Sequence, residues 1–447
     1  MVQSARAVET GTLDPTFADG GVLRFPIPEI SGFNTEAVLP LPGNKLLVAI
    51  LLLGVDAPVA LARLNEDGSL DLGFGGNGSG LVEISLDDHY FDSVKELRGL
   101  SDGGWLVFGQ YRKGSWGGKY VVRHNRDGQP DMSFGEKGVL LIRDGRPRDA
   151  GIRTQAFDRD SEISSTGAPR VTGSESACAV QQDGKILLVS YVRGAGYSKQ
   201  AVLRLNPDGT TDHTFNGTGF APIELGGIPH EWNVVEAIAV QADGKVLVSG
   251  EFGQENPDAR VAYVLRLDAS GQLDTSFNGG MVTVRSTAAL SVKGISIREA
   301  DGTIVVVGKA SVNSVPHGLM FVLTSGGFFD FNFNRGQPLF SLLVPQGLMW
   351  SRSSLRADGS ILVAGSTGPG YVEERLTALT ALFRPDGSLD PSFNGSGFTV
   401  FDEEGRYESV TDMKVMADDR IVVCGFAWVD GDPWAYIGGG WVIRYLA

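Results

Sequence analysis

The sequence predicts an all-β fold, a seven-bladed β-propeller built from four-stranded blades. A phrase of about 60 residues recurs along the chain, most clearly as AIAVQADGKVLVSG followed, after a variable gap, by YVLRLDASGQLDTSFNGG (237–280). Each copy contains four short apolar segments separated by turn signals. The helical spacers that βαβ units require are missing. Short strands at such regular spacing are typical of propeller blades.

A tight turn separates the first two apolar segments of each copy. Asp-Gly at this position supplies the positive φ that a two-residue hairpin demands, so these segments are predicted to form a hairpin. The seven turns are PGNK (42–45), SDGG (101–104), QDGK (182–185), ADGK (242–245), ADGT (300–303), ADGS (357–360) and ADDR (417–420).

A third strand follows, and a second turn then leads through an LDxSF-like element into the fourth strand. The third strands are ALARLN (60–65), YVVRHN (120–125), AVLRLN (201–206), YVLRLD (263–268), MFVLTS (320–325), TALFRP (380–385) and WVIRYL (441–446). The LDxSF elements are LDPTF (13–17), LDLGF (70–74), PDMSF (130–134), TDHTF (211–215), LDTSF (273–277), FDFNF (329–333) and LDPSF (389–393).

The phasing of the repeat predicts how the ring closes. The first element in the chain belongs to a fourth strand (about 12–28), and the last, WVIRYLA, is a third strand. The N-terminal strand is therefore expected to complete the sheet of the last blade. Residues 1–447 are then expected to form one propeller domain, with an insertion at about 144–173 that carries five arginines. A segment of this length and composition is expected to be a solvated loop or a lid.

The pattern AVQxDGKxLVxG…RLNxDGxLDxSFNGxG resembles the delta-60 repeat family of bacterial proteins and, more distantly, NHL-type propeller repeats. The resemblance covers nearly the whole chain, and the copy at 319–334 departs from it most. It implies a β-propeller and a secreted or cell-surface location in bacteria. It implies little about activity, because the family is defined by its repeat.

Composition narrows the classes of function. A net charge of -15 argues against a nucleic-acid partner, because phosphate binding needs a basic surface. No apolar run approaches a membrane span, and the N-terminus shows no signal-peptide core, so the compartment stays open. Cys178 and Cys424 lie in separate apolar runs and are expected to be buried free thiols. We expect a monomer.

The repeated polar residues are expected to serve architecture. The LDxSF aspartates favour turn-stabilising hydrogen bonds over a ring of metal sites, and the phenylalanine three residues on is expected to pack between blades. An arginine recurs on five of the third strands, and we expect it to pair with the LDxSF carboxylate. These arginines are Arg63, Arg123, Arg204, Arg266 and Arg444, with Val322 and Leu382 in the other two copies.

Variable loops on the face opposite the Asp-Gly turns are the expected site of function, since rigid scaffolds carry binding residues on loops. These loops are rich in tryptophan and histidine, and such aromatic side chains are typical of protein or sugar contact surfaces. Covering of blade edges is the structural alternative for any one of them. The candidate binding residues are Trp116, Trp232, Trp350, Trp428, Trp434, His230 and Tyr111.

No catalytic motif occurs: the sequence contains no G-x-S-x-G, HExxH, CxxC, P-loop or dinucleotide fingerprint. The leading hypothesis is therefore a non-enzymatic binding propeller for a protein or glycan. The alternative is a metal-dependent hydrolase or lyase with its site at the propeller axis. A structural part of a larger surface assembly is a third hypothesis. No cofactor is evident; a divalent cation such as calcium, held by scattered acids, is the weaker alternative.

Overall fold

Seven antiparallel sheets, each of four strands, form a ring in the computed structural model. This confirms the predicted seven-bladed β-propeller. The structure describes residues 10–447 apart from 53–57, 87–88, 115, 144–177, 194–197, 231, 254–259, 369–375 and 432–434. The predicted insertion at 144–173 lies outside the described residues.

The strands follow the order that the repeat predicts. In chain order they are β1 (Val22–Phe25), β2 (Gly32–Leu41), β3 (Lys45–Leu52), β4 (Val59–Leu64), β5 (Leu81–Ile84), β6 (Tyr90–Gly99), β7 (Trp105–Lys113), β8 (Trp116–His124), β9 (Val139–Arg143), β10 (Cys178–Val180), β11 (Ile186–Arg193), β12 (Ser198–Leu205), β13 (Phe220–Pro222) and β14 (Trp232–Val240). They continue with β15 (Val246–Gly253), β16 (Arg260–Leu267), β17 (Met281–Val284), β18 (Ala289–Ile297), β19 (Ile304–Val312), β20 (Val315–Leu323), β21 (Leu339–Ser341), β22 (Leu348–Leu355), β23 (Ile361–Thr367), β24 (Ala378–Phe383), β25 (Phe398–Phe401), β26 (Tyr407–Val415), β27 (Ile421–Val429) and β28 (Tyr436–Tyr445). Three short 3-10 helices cover Phe74–Gly76, Asn278–Gly280 and Asn334–Gly336.

Blades one to six are consecutive groups of four strands, from β2–β5 to β22–β25. In blade seven the order is β1-β28-β27-β26, so the N-terminal segment supplies the outermost strand. Val22 pairs with Ile443, and Phe25 pairs with Gly440. The first strand of each blade is innermost, and these seven strands contact one another in turn around the axis.

The predicted arginine–aspartate pair forms in all five blades that carry the arginine. In each, the arginine Nε donates to the second carboxylate oxygen of the LDxSF aspartate of the same blade. The N···O distances are 2.7 Å for Arg63–Asp71, 2.9 Å for Arg123–Asp131, 2.8 Å for Arg204–Asp212, 2.9 Å for Arg266–Asp274 and 2.7 Å for Arg444–Asp14.

The same arginine also reaches the next blade. Arg204 Nη1 donates to the Ala269 carbonyl at 2.6 Å, and its guanidinium lies 4.5 Å from the centre of the Phe215 ring. All five arginines donate to a backbone carbonyl of the next blade. Four of the guanidinium groups, those of Arg63, Arg204, Arg266 and Arg444, also lie over the buried LDxSF phenylalanine of their own blade. In blade six, where Leu382 replaces the arginine, Arg384 approaches Asp390 at 3.6 Å. The repeated residues therefore fasten one blade to the next.

Other expectations concern single groups. Both cysteines are buried free thiols, as predicted. Among the described residues, no helix is long and apolar enough to cross a membrane.

Candidate functional site

The two faces of the ring differ in their connections. Each inner strand begins at the face that carries the long variable loops and ends at the tight Asp-Gly turn. The link from the third to the fourth strand, which holds the LDxSF element, lies on the Asp-Gly face as well. A side chain near the start of an inner strand therefore belongs to the variable-loop face.

Two of the candidate binding residues on that face, Trp350 and Tyr111, are buried. The side chain of Trp350 is 0% exposed, and its ring packs edge-on against Phe383. Tyr111 is also buried, with its ring against His89. This corrects the expectation that both belong to an exposed aromatic surface, because each packs within the seam between neighbouring sheets.

Three other candidates are tryptophans outside blade four. Trp428 is half-buried and packs against Phe426, with its indole nitrogen enclosed. The backbone of Trp116 begins β8, but its side chain lies outside the described part of the molecule. Trp434 falls outside the described residues altogether.

A compact group in blade four brings together the remaining two candidates, Trp232 and His230. Trp232, Gly253 and Arg260 occupy one row across three adjacent strands, β14, β15 and β16. The indole lies so close over Gly253 that a Cβ there would overlap its Nε1. The Arg260 guanidinium lies 5.5 Å from the centre of the indole ring. We call His230, Trp232, Phe252, Gly253 and Arg260 the blade-four patch.

Arg260 is held in place by a buried acid. Its Nη1 donates to Glu251 Oε1 at 3.2 Å, and the Glu251 side chain is 0% exposed. The other carboxylate oxygen of Glu251 accepts the Val292 N–H of blade five at 3.2 Å. About a third of the Arg260 side chain stays exposed (32%), so the guanidinium is oriented and still accessible to solvent.

His230 borders this row at the surface. Its Nδ1 lies 2.7 Å from the Ile228 carbonyl oxygen, which can only accept, so Nδ1 carries the proton. Its ring stands edge-on to the buried Phe252, with 6.2 Å between ring centres. The patch therefore offers a half-exposed indole, an oriented cation and an exposed imidazole on one rigid blade end.

A second polar region lines the axis. A β-bulge occurs at the equivalent position in six inner strands, the ones whose full length the structure describes. The bulged residues are Glu36, Lys95, Glu236, Lys293, Ser351 and Thr411. Lys293 Nζ approaches Glu236 Oε2 of the preceding blade at 3.6 Å. Charged bulge residues of adjacent blades thus meet around the axis.

Just past the bulges, toward the Asp-Gly face, lies a denser group that we call the axial charge cluster. Arg352 Nε donates to Asp412 Oδ1 at 3.0 Å, and Lys414 Nζ donates to the same oxygen at 2.9 Å. Lys414 Nζ also lies 3.9 Å from Glu96 Oε1, which Arg98 Nη2 contacts at 2.7 Å. Blades six, seven and two are joined by these five side chains.

Two buried glutamates near the axis have unusual acidity. Burial raises the pKa of Glu36 to about 7, although Lys95 opposes the shift. Burial also raises the pKa of Glu408 to about 8, and the charges of Asp402 and Glu403 add to the increase. Glu408 Oε1 accepts the Glu403 N–H at 3.1 Å, while its enclosed Oε2 has no hydrogen-bond partner in the described structure.

Sequence reasoning missed Gly253, Arg260 and the axial cluster. A signal for the bulge residues beside the cluster exists: a charged residue interrupts the apolar inner strands at one repeated position, as at Glu236 in VVEAIAV and Lys293 in SVKGISI. Glu96 and Asp412 of the cluster come one residue after the equivalent position. No comparable signal marks Gly253. Within the described ranges, no group of three or more His, Cys, Asp or Glu side chains is placed to hold a metal ion.

Comparison with known proteins supports the repeat architecture. A family model described as a β-propeller domain of unknown function (DUF5122) matches residues 59–74, 181–215, 241–277 and 356–393. Three of these segments run from near an Asp-Gly turn to the next LDxSF phenylalanine. The chain is thus a β-propeller repeat protein. No curated protein matches its sequence.

Solved structures resemble this chain at low sequence identity and with TM-scores below 0.5. A polysaccharide lyase of family 25, an ulvan lyase, is 11% identical with a TM-score of 0.49, over 92% of this chain and 97% of that one. The β-propeller domain of the Trilobed protease from Pyrococcus furiosus is 8% identical with a TM-score of 0.44, over 91% and 96%. Prolyl oligopeptidase B from Galerina marginata is 10% identical with a TM-score of 0.44, and the match spans 91% of this chain but 50% of the peptidase. Likeness at this level says nothing about activity.

Proposed function

We propose that this protein is a non-enzymatic binding module that holds a protein or glycan on its variable-loop face through the blade-four patch. The observation that carries the proposal is the row of Trp232, Gly253 and Arg260. The indole is already held against Gly253, and the guanidinium is already held by Glu251. Ligand binding would therefore cost little additional conformational entropy of these side chains. Tryptophan and arginine are also the residues most enriched at energetic centres of interfaces.

The direct test is to replace Trp232 by alanine and measure binding of the ligand found in a glycan panel or a pull-down. We expect affinity to fall at least about tenfold, because truncating a central tryptophan costs roughly 2 kcal/mol or more. Phe331→Ala is the matched control, because this aromatic side chain is 80% exposed but lies on the Asp-Gly face. An equal loss of affinity in both variants, or no loss of affinity in Trp232→Ala, would show that the blade-four patch is not the binding site.

Gly253→Ala separates a preformed patch from a simple apolar contact. The new methyl group would displace the indole while leaving every binding side chain in the sequence. Gly253 is not among the residues with a positive φ, so the alanine backbone is unstrained. We expect weaker binding with a small change in melting temperature; unchanged binding would mean that the position of the indole does not matter.

The finer family assignment is also a proposal. The combination of both turns with LDxSF supports membership of the delta-60 repeat family, and with it a secreted or cell-surface location. Fractionation of the source organism would test the location, and recovery of the protein only from the cytosol would overturn it.

A hydrolase or lyase with its site at the axis is the second candidate, and one observation favours it. Glu36 and Glu408 lie on the inner strands of adjacent blades and have pKa values of about 7 and 8, the range in which carboxyl groups exchange protons at neutral pH. If this reading holds, Glu36→Gln and Glu408→Gln each abolish turnover of a polysaccharide or peptide, and Trp232→Ala leaves the turnover number unchanged. Loss of turnover in the presence of a chelator would show that the reaction also requires a divalent metal ion.

A further inference from the structure

We propose that the axial charge cluster is a binding site for a small oxyanion, such as phosphate, sulfate or a carboxylate. The site lies near the Asp-Gly face, away from the blade-four patch, so it is independent of the proposed function. Its members are Glu96, Arg98, Arg352, Asp412 and Lys414.

The axial charge cluster carries more positive than negative charge. The cluster holds three cations and two carboxylates in a protein whose net charge is -15. The two cysteines beside it add no negative charge. Burial and the Glu96 carboxylate raise the pKa of Cys178, whose Sγ donates to Glu96 Oε2 at 3.2 Å. Burial and the Asp412 carboxylate likewise raise the pKa of Cys424. Counted over its five described side chains, the cluster therefore carries one excess positive charge.

The carboxylate oxygens of Asp412 already accept several hydrogen bonds. Asp412 Oδ1 accepts from Arg352, Lys414 and the Met413 N–H, and its Oδ2 accepts the Val38 N–H. Its oxygens therefore have little capacity to take a further cation. The pKa of Asp412 is accordingly lowered: burial alone would raise it, but the charges of Lys414 and Arg352 outweigh burial.

Arg98 supplies the matching donor. Its Nη2 contacts Glu96 Oε1 and, at 3.4 Å, the Cys178 carbonyl, whereas its Nε–H is enclosed and meets no hydrogen-bond acceptor in the described structure. A buried donor left in this state is costly unless something accepts from it. The Arg98 and Lys414 side chains are 36% and 23% exposed, so a small ligand has access to both.

These features specify the chemistry of the ligand. The accessible groups are a guanidinium and an ammonium, which donate hydrogen bonds and accept none. A planar guanidinium matches the paired oxygens of phosphate, sulfate or carboxylate. A metal cation would meet like charge, and a neutral ligand would leave the excess charge unbalanced.

The test is equilibrium dialysis of the full chain against inorganic phosphate, sulfate and succinate, with chloride holding the ionic strength constant. We expect saturable binding of one anion per chain, and the order of the three affinities distinguishes a phosphate or sulfate site from a carboxylate site. Lys414→Gln should weaken binding about tenfold or more, because it removes the excess charge. Lys293→Gln is the matched control: it removes a lysine paired with Glu236 on another inner strand, and it should leave binding unchanged.

Three outcomes overturn the proposal: no saturable binding to the wild-type protein, binding that Lys293→Gln weakens as much as Lys414→Gln does, or binding that Lys414→Gln retains in full. If Lys414→Gln does not fold, the wild-type dialysis still decides whether an anion binds. Arg98→Lys then locates the site, because it keeps the charge but removes the Nε donor, and it should weaken binding of the favoured anion.

Discussion

Replacing Arg444 by methionine is expected to lower the free energy of unfolding by about 3 kcal/mol, the lower end of the usual cost of removing one partner from a buried ion pair. Arg444 and Asp14 are 0% and 2% exposed, and methionine leaves the buried carboxylate with only its longer contact to Arg420 Nη1, at 3.2 Å. In the wild type, burial raises the pKa of Asp14, but hydrogen bonds from Thr16 and the charge of Arg444 bring it below the usual range. Denaturant unfolding of both proteins at neutral pH measures the difference.

The effect of this substitution should exceed that of any other arginine in the chain's repeats, because Arg444 joins the two ends of the chain. Its Nε holds Asp14 of the N-terminal segment, and its Nη1 donates to the Glu66 carbonyl of blade one. Hydrogen exchange in Arg444→Met should therefore rise first in β1 and β28. Uniform exchange across all blades would contradict a role in closing the ring.

Arg384→Gln is the matched control. Arg384 also faces an LDxSF aspartate, Asp390, but at 3.6 Å and with 49% of its side chain exposed. Exposed ion pairs contribute about 0–1 kcal/mol, so this variant should unfold at nearly the wild-type denaturant concentration. A loss as large as that in Arg444→Met would mean that burial does not set the contribution of these pairs.

The fold could be predicted from the sequence because its determinants are local and repeated. Each Asp-Gly turn and LDxSF element lies about 60 residues from the next, apart from one interval of 81 residues between Phe134 and Phe215, so seven copies support one interpretation. The pairing of Arg204 with Asp212 follows from that spacing alone. Its bond to the Ala269 carbonyl of the next blade does not, because the sequence does not specify how neighbouring sheets are aligned.

The candidate site was harder to predict because exposure depends on the cross-strand neighbours of a side chain. Trp350 and Trp232 both lie near the start of an inner strand, and both pack against a glycine. Trp350 is enclosed by the sheets on either side, whereas Trp232 ends a row at the surface beside Arg260. Residue type and the kind of loop are the same for the two tryptophans, so these two features could not separate them. They differ in register, because Trp350 directly precedes the bulge at Ser351 whereas Trp232 lies four residues before the bulge at Glu236.

The contacts within the axial charge cluster could not be predicted from the sequence either, because they join residues of different blades. A charge inside an apolar inner strand is visible in the sequence at Glu96 and Asp412. The approach of Lys414 to Glu96 joins blades seven and two across the strand of blade one, and it exists only once the ring has closed. Repeats predict which residues are equivalent, but contacts between non-equivalent positions require the assembled ring.

Glu408→Gln is expected to stabilise the protein by an amount that grows between about pH 4.5 and pH 8. The folded-state pKa of Glu408 is about 8, against an ordinary value of 4.5, because burial and the nearby Asp402 and Glu403 disfavour the ionised form. Between these two values the unfolded chain has lost the proton while the folded chain keeps it. Unfolding then releases a proton, so wild-type stability falls as pH rises through this window.

Glutamine removes that dependence because it cannot ionise, and its carbonyl oxygen can still accept the Glu403 N–H. The variant should match the wild type near pH 4.5 and exceed it at pH 8 by an amount on the order of a few kcal/mol. Denaturant unfolding at a series of pH values measures the difference. Glu83→Gln, which removes an exposed acid from the outer strand β5, is the control for a simple change in net charge. A gain that is equal at all pH values, or equal in both variants, would show that Glu408 is already ionised in the folded protein.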